Sequence, residues 1–121
     1  MIGSPAVRIL SHKSGAVAQL VYDRGERFLS YYVYILVSEK DGMLYTGQTN
    51  DLSDRLIRHN SGQVPSTKGK GPFRLGYYEE FQSRSEAMWR EWELKKKWTT
   101  GRKKKLVGSF DNKQAVDILG L

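Results

Sequence analysis

The chain has 121 residues, 39% hydrophobic and 12% aromatic, with 20 Lys and Arg against 13 Asp and Glu for a net charge of +7; these proportions suit one folded domain whose first-choice partner is a polyanion such as nucleic acid. It contains no cysteine, which excludes a disulfide framework and every cysteine-ligated metal site. Its histidines, at 12 and 59, are too few for a histidine cage, so any metal is held mainly by oxygen, and its longest apolar run, Tyr31–Val37, is too short to cross a bilayer, which leaves a cytoplasmic protein with no membrane partner as the expectation.

Residues 1–30 keep neither the strand nor the helix period, and Gly3, Pro5, Gly15 and Gly25 interrupt them. This stretch is expected to be a loosely structured extension with a short strand or helix near Ala16–Tyr22. It carries no candidate chemistry and is consistent with translation from upstream of the natural start. From Tyr31 the signals sharpen. Tyr31–Val37 is β-branched and aromatic, Lys40-Asp41-Gly42 has turn chemistry, and Leu44–Thr49 is strand-like again, which together predict an antiparallel hairpin. Asn50 or Asp51 can cap a helix carrying Leu52 and Leu56, which Asn60-Ser61-Gly62 ends. Gln63–Pro72 reads as an exposed, mobile loop, and Phe73–Phe81 as a third strand. Ser83-Arg84-Ser85-Glu86 matches a capping box ahead of a helix running to Lys97. Gly101 breaks that helix, Arg102–Val107 predicts a turn or short helix, and Asn112–Leu119 a last one. The order strand, strand, helix, strand, helix is an α+β pattern: a small three-stranded antiparallel sheet covered by helices, with a short C-terminal helical tail.

Four groups carry candidate chemistry. Glu91 falls between Ala87 and Leu94 on the apolar stripe of the second helix, where an ionised carboxylate needs a cation, a donor cluster or a metal; the plainer alternative is an edge position paired with Lys95. Glu86, Arg90, Glu93 and Lys97 fall on the solvated outer arc. Arg55 and His59 lie four apart on the first helix, where a guanidinium fork and an imidazole suit a phosphodiester; otherwise Arg55 pairs with Asp51 or Asp54 and His59 with terminal carbonyls. Tyr34 and Tyr45 can share one face of the hairpin, as reacting phenols or as packing residues. Finally, Arg90–Lys105 holds eight Lys and Arg against two Glu, with Trp89, Trp92 and Trp98 interleaved or adjacent. The basic side chains suit phosphates, and exposed indoles would stack on unpaired bases; a small domain's need for large core residues places the tryptophans inside instead.

Tyr32-Val33-Tyr34, then after ten residues Tyr45-Thr46-Gly47, then Asp51-Leu52, Arg55-Leu56 and His59-Asn60-Ser61-Gly62, resemble the GIY-YIG nuclease domain. Ser66-Thr67-Lys68, Pro72-Phe73, Leu75, Tyr77-Tyr78-Glu79 and Ser83-Arg84, Glu86-Ala87, Arg90-Glu91, Leu94-Lys95 resemble its small stand-alone bacterial members, relatives of the excision-repair incision subunit. The resemblance spans residues 31–98, between the 1–30 extension and a basic 99–121 tail. Tyr32 stands where the name motif has its first Gly, and Thr46 where it has its middle Ile.

The resemblance implies a metal-dependent endonuclease cutting phosphodiester bonds in DNA, branched or single-stranded forms included, in repair or DNA processing. It makes Tyr34 and Tyr45 the paired site tyrosines, Arg55 the phosphate-facing arginine, His59 a catalytic group in some relatives, and Glu91 the carboxylate holding one Mg²⁺ or Mn²⁺. Lys68, Lys70, Arg90, Lys95 and Lys96 are the expected nucleic-acid contacts. The alternative is a non-catalytic nucleic-acid-binding module using the same basic surface; a structural partner of a repair complex is a third reading.

Overall fold

The computed structural model describes residues 30–120 and, ahead of them, two short strands, β1 (Val7–Leu10) and β2 (Val17–Leu20). These pair antiparallel, Val7 opposite Leu20 and Leu10 opposite Val17. β2 falls within the stretch expected to hold a short strand or helix, and it is a strand; β1 is a four-residue run, too short to show a period. Residues 1–6, 11–16 and 21–29 of the expected loose extension lie outside the described residues.

The main sheet has the order β4 (Leu44–Thr49), β3 (Tyr31–Ser38), β5 (Phe73–Phe81), antiparallel throughout. The expected turn closes the hairpin: Gly42, at φ 77°, returns its N–H to Ser38 O at 2.8 Å. β3 is central and buried on both faces, so its run is apolar without alternation. Tyr32, Tyr34 and Leu36 point to one face, where they pack with Leu52, Phe73 and Leu75 under α1 (Leu52–Asn60) and α4 (Asn112–Leu119). Val33 points to the other, against Ala87 and Leu94 of α2 (Arg84–Lys96), with Leu106 of α3 (Thr100–Gly108) alongside. At Gly76 in β5 a Cβ would stand 2.7 Å from Val37 Cγ2 and 3.1 Å from Val107 Cγ1, so the glycine admits α3 to the sheet. The expected α+β order is the observed one.

The caps follow the sequence. Asp51 accepts from the Asp54 N–H at 3.0 Å, and Ser83 from the Glu86 N–H at 3.2 Å. Gly101 lies inside the first turn of α3, whose N-cap is Thr99, so Trp98-Thr99 and not the glycine separates α2 from α3. Tyr32 sits in the core edge-on to Tyr78 and leaves the β3–β4 register regular. Among the described residues no helix is long and apolar enough to cross a membrane.

The tryptophans depart from expectation. Trp89 and Trp92 are 64% and 42% exposed, because α2 turns Ala87 and Leu94 inward and these indoles fall on the far side. Trp98 is partly buried, with the Arg102 guanidinium 3.8 Å and that of Arg90 5.1 Å from its ring.

Candidate active site

Register places Tyr34 opposite Gly47 and Leu36 opposite Tyr45, so the two tyrosines share a face diagonally, two residues apart along each strand. The hydroxyl end of Tyr34 stands over the Gly47 backbone. A Cβ at 47 would collide with the phenol oxygen and stand 2.6 Å from Cζ. Tyr45 is half-buried, edge-on to Phe73 with centroids 5.5 Å apart, and the Lys70 ammonium is 5.7 Å from its ring centre.

His59, in the last turn of α1, is buried, with both ring nitrogens engaged: Nε2 is 2.9 Å from the Tyr34 hydroxyl and Nδ1 is 2.8 Å from Thr67 Oγ1. The Thr67 hydroxyl donates to Val64 O, so it receives the proton on Nδ1. Nε2 is then the acceptor, and the Tyr34 O–H donates to it. Burial, seconded by the Arg55 charge, lowers the pKa of His59 and favours the neutral ring that this arrangement requires.

Burial also pushes the Tyr34 phenol up to about 12, with Arg55 lowering it and Glu91 raising it. Arg55 and Glu91, which reach the site from opposite faces of the sheet, thus act on one hydroxyl. Neither lines the cleft itself. That cleft, about 320 Å³, wraps the edge strand β4 and is lined by Tyr34, Tyr45, His59 and Thr67 on one side and by Lys95 and Lys103 on the other.

The lining is fastened by the segment expected to be a mobile loop. Residues Pro65–Thr67 form a short 3-10 turn that buries Thr67, Ser38 Oγ donates to Lys70 O at 2.7 Å, and the Asn60 side chain binds both backbone groups of Phe73. Polar groups of α1 and β3 hold a stretch whose composition shows only turn residues.

Arg55 is half-buried; Asp54 is taken by Arg58 at 2.7 Å, Asp51 caps the helix, and Arg55 has no carboxylate partner among the described residues. Glu91 is 21% exposed and pairs with Lys95 at 2.8 Å. The plainer contact considered for Glu91 is therefore present, and it lies at the cleft rim. Lys68, Lys70 and Lys96 are exposed.

Arg90 is not on a solvated arc. Its Nε and Nη2 clamp the buried Glu79 carboxylate at 3.0 and 2.9 Å, and Nη1 reaches Glu93 at 2.7 Å. Burial works against the charge on Arg90, and bonds to Glu79 and Glu93 outweigh it, so its pKa rises. The Tyr77 hydroxyl completes the cluster, donating to Glu79 at 2.6 Å. This corrects the expected solvated setting of Arg90, whose guanidinium is occupied by protein carboxylates.

Two site residues escape the sequence reading. Thr67 has no signal of its own outside the Ser66-Thr67-Lys68 match. Lys103 is one of four consecutive basic residues, Arg102–Lys105, and only the placement of α3 against β4 selects it for the cleft.

Among the described residues no three His, Cys, Asp or Glu side chains cluster as a metal cage. One hard carboxylate does fit Mg²⁺ or Mn²⁺, since such ions keep several waters and take one or two carboxylates plus phosphate oxygens from a substrate. Glu91, at the rim, has the chemistry such an ion takes. His59 is not available to it, because both its nitrogens are committed.

A family model of the GIY-YIG catalytic domain matches residues 30–105, more than half of the chain. A UPF0213 protein of Staphylococcus saprophyticus is 48% identical over 77 residues, covering 63% of this chain and 89% of the relative. A UPF0213 protein of Clostridium perfringens is 44% identical over 84 residues, covering 69% of this chain and 88% of the relative. The solution NMR structure of a UPF0213 protein from Bacillus halodurans is 42% identical, covers 66% of this chain and 84% of that chain, and has a TM-score of 0.43.

Proposed function

Since this chain belongs to the GIY-YIG family, we propose that it is a divalent-metal-dependent endonuclease hydrolysing phosphodiester bonds in DNA, acting in the cytoplasm in repair or DNA processing. The observation that carries the reading is the chain of hydrogen bonds from Tyr34 through His59 to Thr67, opening on a cleft rimmed by lysines.

A phenol with a pKa of about 12 is protonated at neutral pH and cannot alone take a proton from water. His59 removes that obstacle. Its neutral Nε2 accepts the Tyr34 proton while the phenol oxygen takes one from the attacking water, and the resulting hydroxide adds to phosphorus. Thr67 keeps the ring in the tautomer that makes Nε2 the acceptor. Arg55, without a carboxylate partner among the described residues, offers its fork to the phosphate oxygens, where charge grows toward the transition state. Lys95 and Lys103 hold flanking phosphates as point charges, and Lys68, Lys70 and Lys96 extend the basic track. Tyr45 lines the same wall as Tyr34 and positions the scissile group. Glu91 would hold the metal, which when bound supplies Lewis-acid stabilisation of the departing oxygen.

The test incubates the full chain with fluorescent branched, single-stranded and duplex DNA in Mg²⁺, Mn²⁺ or chelator, wild type beside Glu91→Ala. Cleavage by wild type with metal, lost in chelator and in the variant, is the expected result. Salt-sensitive binding without cleavage under every metal condition identifies a binding module and overturns the reading.

A further inference from the structure

Trp89 and Trp92 lie on adjacent turns of α2 and stack on each other, centroids 5.0 Å apart with 22° between planes. Their exposures, 64% and 42%, and that of Met88 beside them, 51%, leave a large apolar face, whereas the other aromatics among the described residues are buried more deeply. The pair also adjoins the site. Trp92 follows Glu91 directly and precedes Lys95, the cleft-lining lysine, by one helical turn.

Charge selects what fits there. The Lys97 ammonium is 5.7 Å from the Trp92 ring centre, and Lys95 and Lys96 are exposed on the same end of the helix. Of the nearby acids, Glu93 is engaged by Arg90 and Glu86 by Ser83, and Glu91 pairs with Lys95, which leaves Lys96 and Lys97 as the face's unpaired charges among the described residues. The face is therefore planar, aromatic and basic. A polyanion with accessible π faces matches both properties, and single-stranded DNA offers them, whereas a duplex presents phosphates but keeps its base faces stacked inside. An apolar protein surface would match the indoles and leave Lys96 and Lys97 without an anion.

We propose that Trp89 and Trp92 form a base-stacking platform for an unpaired stretch of DNA strand running out of the cleft past Lys95. The direction of the strand rests on the nuclease reading; the stacking itself does not, since binding needs no cleavage.

The experiment measures fluorescence anisotropy of labelled oligothymidylate and of a blunt duplex with the full chain in chelator, comparing wild type, Trp89→Ala, Trp92→Ala and Trp92→Phe. Thermal melts confirm that each variant is folded. Each alanine should weaken oligothymidylate binding by about tenfold or more, change duplex binding by less than about twofold, and be largely rescued at 92 by phenylalanine. Intrinsic tryptophan fluorescence should fall as wild type saturates with oligothymidylate. Unchanged single-strand affinity, an equal loss on duplex, or an alanine effect confined to self-association overturns the proposal. Cleavage is scored separately. Indole-dependent binding by a protein that never cuts keeps the platform and removes the nuclease; cutting with indole-independent binding does the reverse.

Discussion

The phenol of Tyr34 occupies the space that a side chain at Gly47 would fill. The two residues face each other across the β3–β4 pair, and a Cβ on residue 47 would stand 2.6 Å from Tyr34 Cζ. The third position of the second motif triplet is thus constrained by Tyr34: without a bare backbone there, the phenol cannot keep its place beside His59. Gly47→Ala should displace Tyr34, cost roughly 1–3 kcal/mol of stability as overpacking does, and lower cleavage by more than the stability loss explains. Chemical denaturation and single-turnover cleavage on the same sample check this. A variant with wild-type cleavage would show that Tyr34 need not sit there.

His59 sets the pH dependence. Its pKa in the folded protein lies below the ordinary histidine value. The unfolded chain therefore binds the proton first as pH falls. The stability contributed by the neutral ring is complete above about 6.5 and is lost progressively as pH drops toward the lowered folded value. Cleavage should decline on the acid side as pH falls through that lowered value, because protonated Nε2 has no lone pair for the Tyr34 proton. His59→Ala should lose about 10²–10⁴-fold in rate, the usual contribution of general acid–base catalysis, and its residual activity should lack the acid limb. Rate against pH for both proteins is the measurement.

Arg90 should report on stability and not on DNA. Arg90→Ala strands the Glu79 carboxylate, which is only about a tenth exposed. Removing one partner of a buried pair costs about 3–5 kcal/mol, so the denaturation midpoint should fall sharply. DNA affinity measured where the variant is still folded should stay near wild type, in contrast to Lys95→Ala or Lys103→Ala. A large, salt-sensitive loss of affinity with an unchanged midpoint would return Arg90 to the DNA surface.

The strands, both main helices and their caps were readable because each rests on local chemistry: Asp51 and Ser83 cap where they stand, and β3 announces burial on both faces by its unbroken apolar run. What sequence could not supply was helix rotation and loop fastening. A small error in the phase of α2 moves Arg90 from the outer arc onto Glu79 and leaves Trp89 and Trp92 in water. Thr67 and Lys103 become site residues only through contacts with His59 and with the β4 edge, from segments distant in the chain. Glu91 was legible as an acid on an otherwise apolar stripe, and the alternative of pairing with Lys95 proved compatible with a place at the rim.

The central claim is that the Tyr34 hydroxyl, handing its proton to His59, activates the attacking water. The most direct measurement is the single-turnover cleavage rate of Tyr34→Phe at saturating protein in Mn²⁺, with DNA affinity recorded alongside. The account requires a rate at least about 10²-fold below wild type with affinity and folding unchanged. A phenylalanine variant that cuts at the wild-type rate would contradict it.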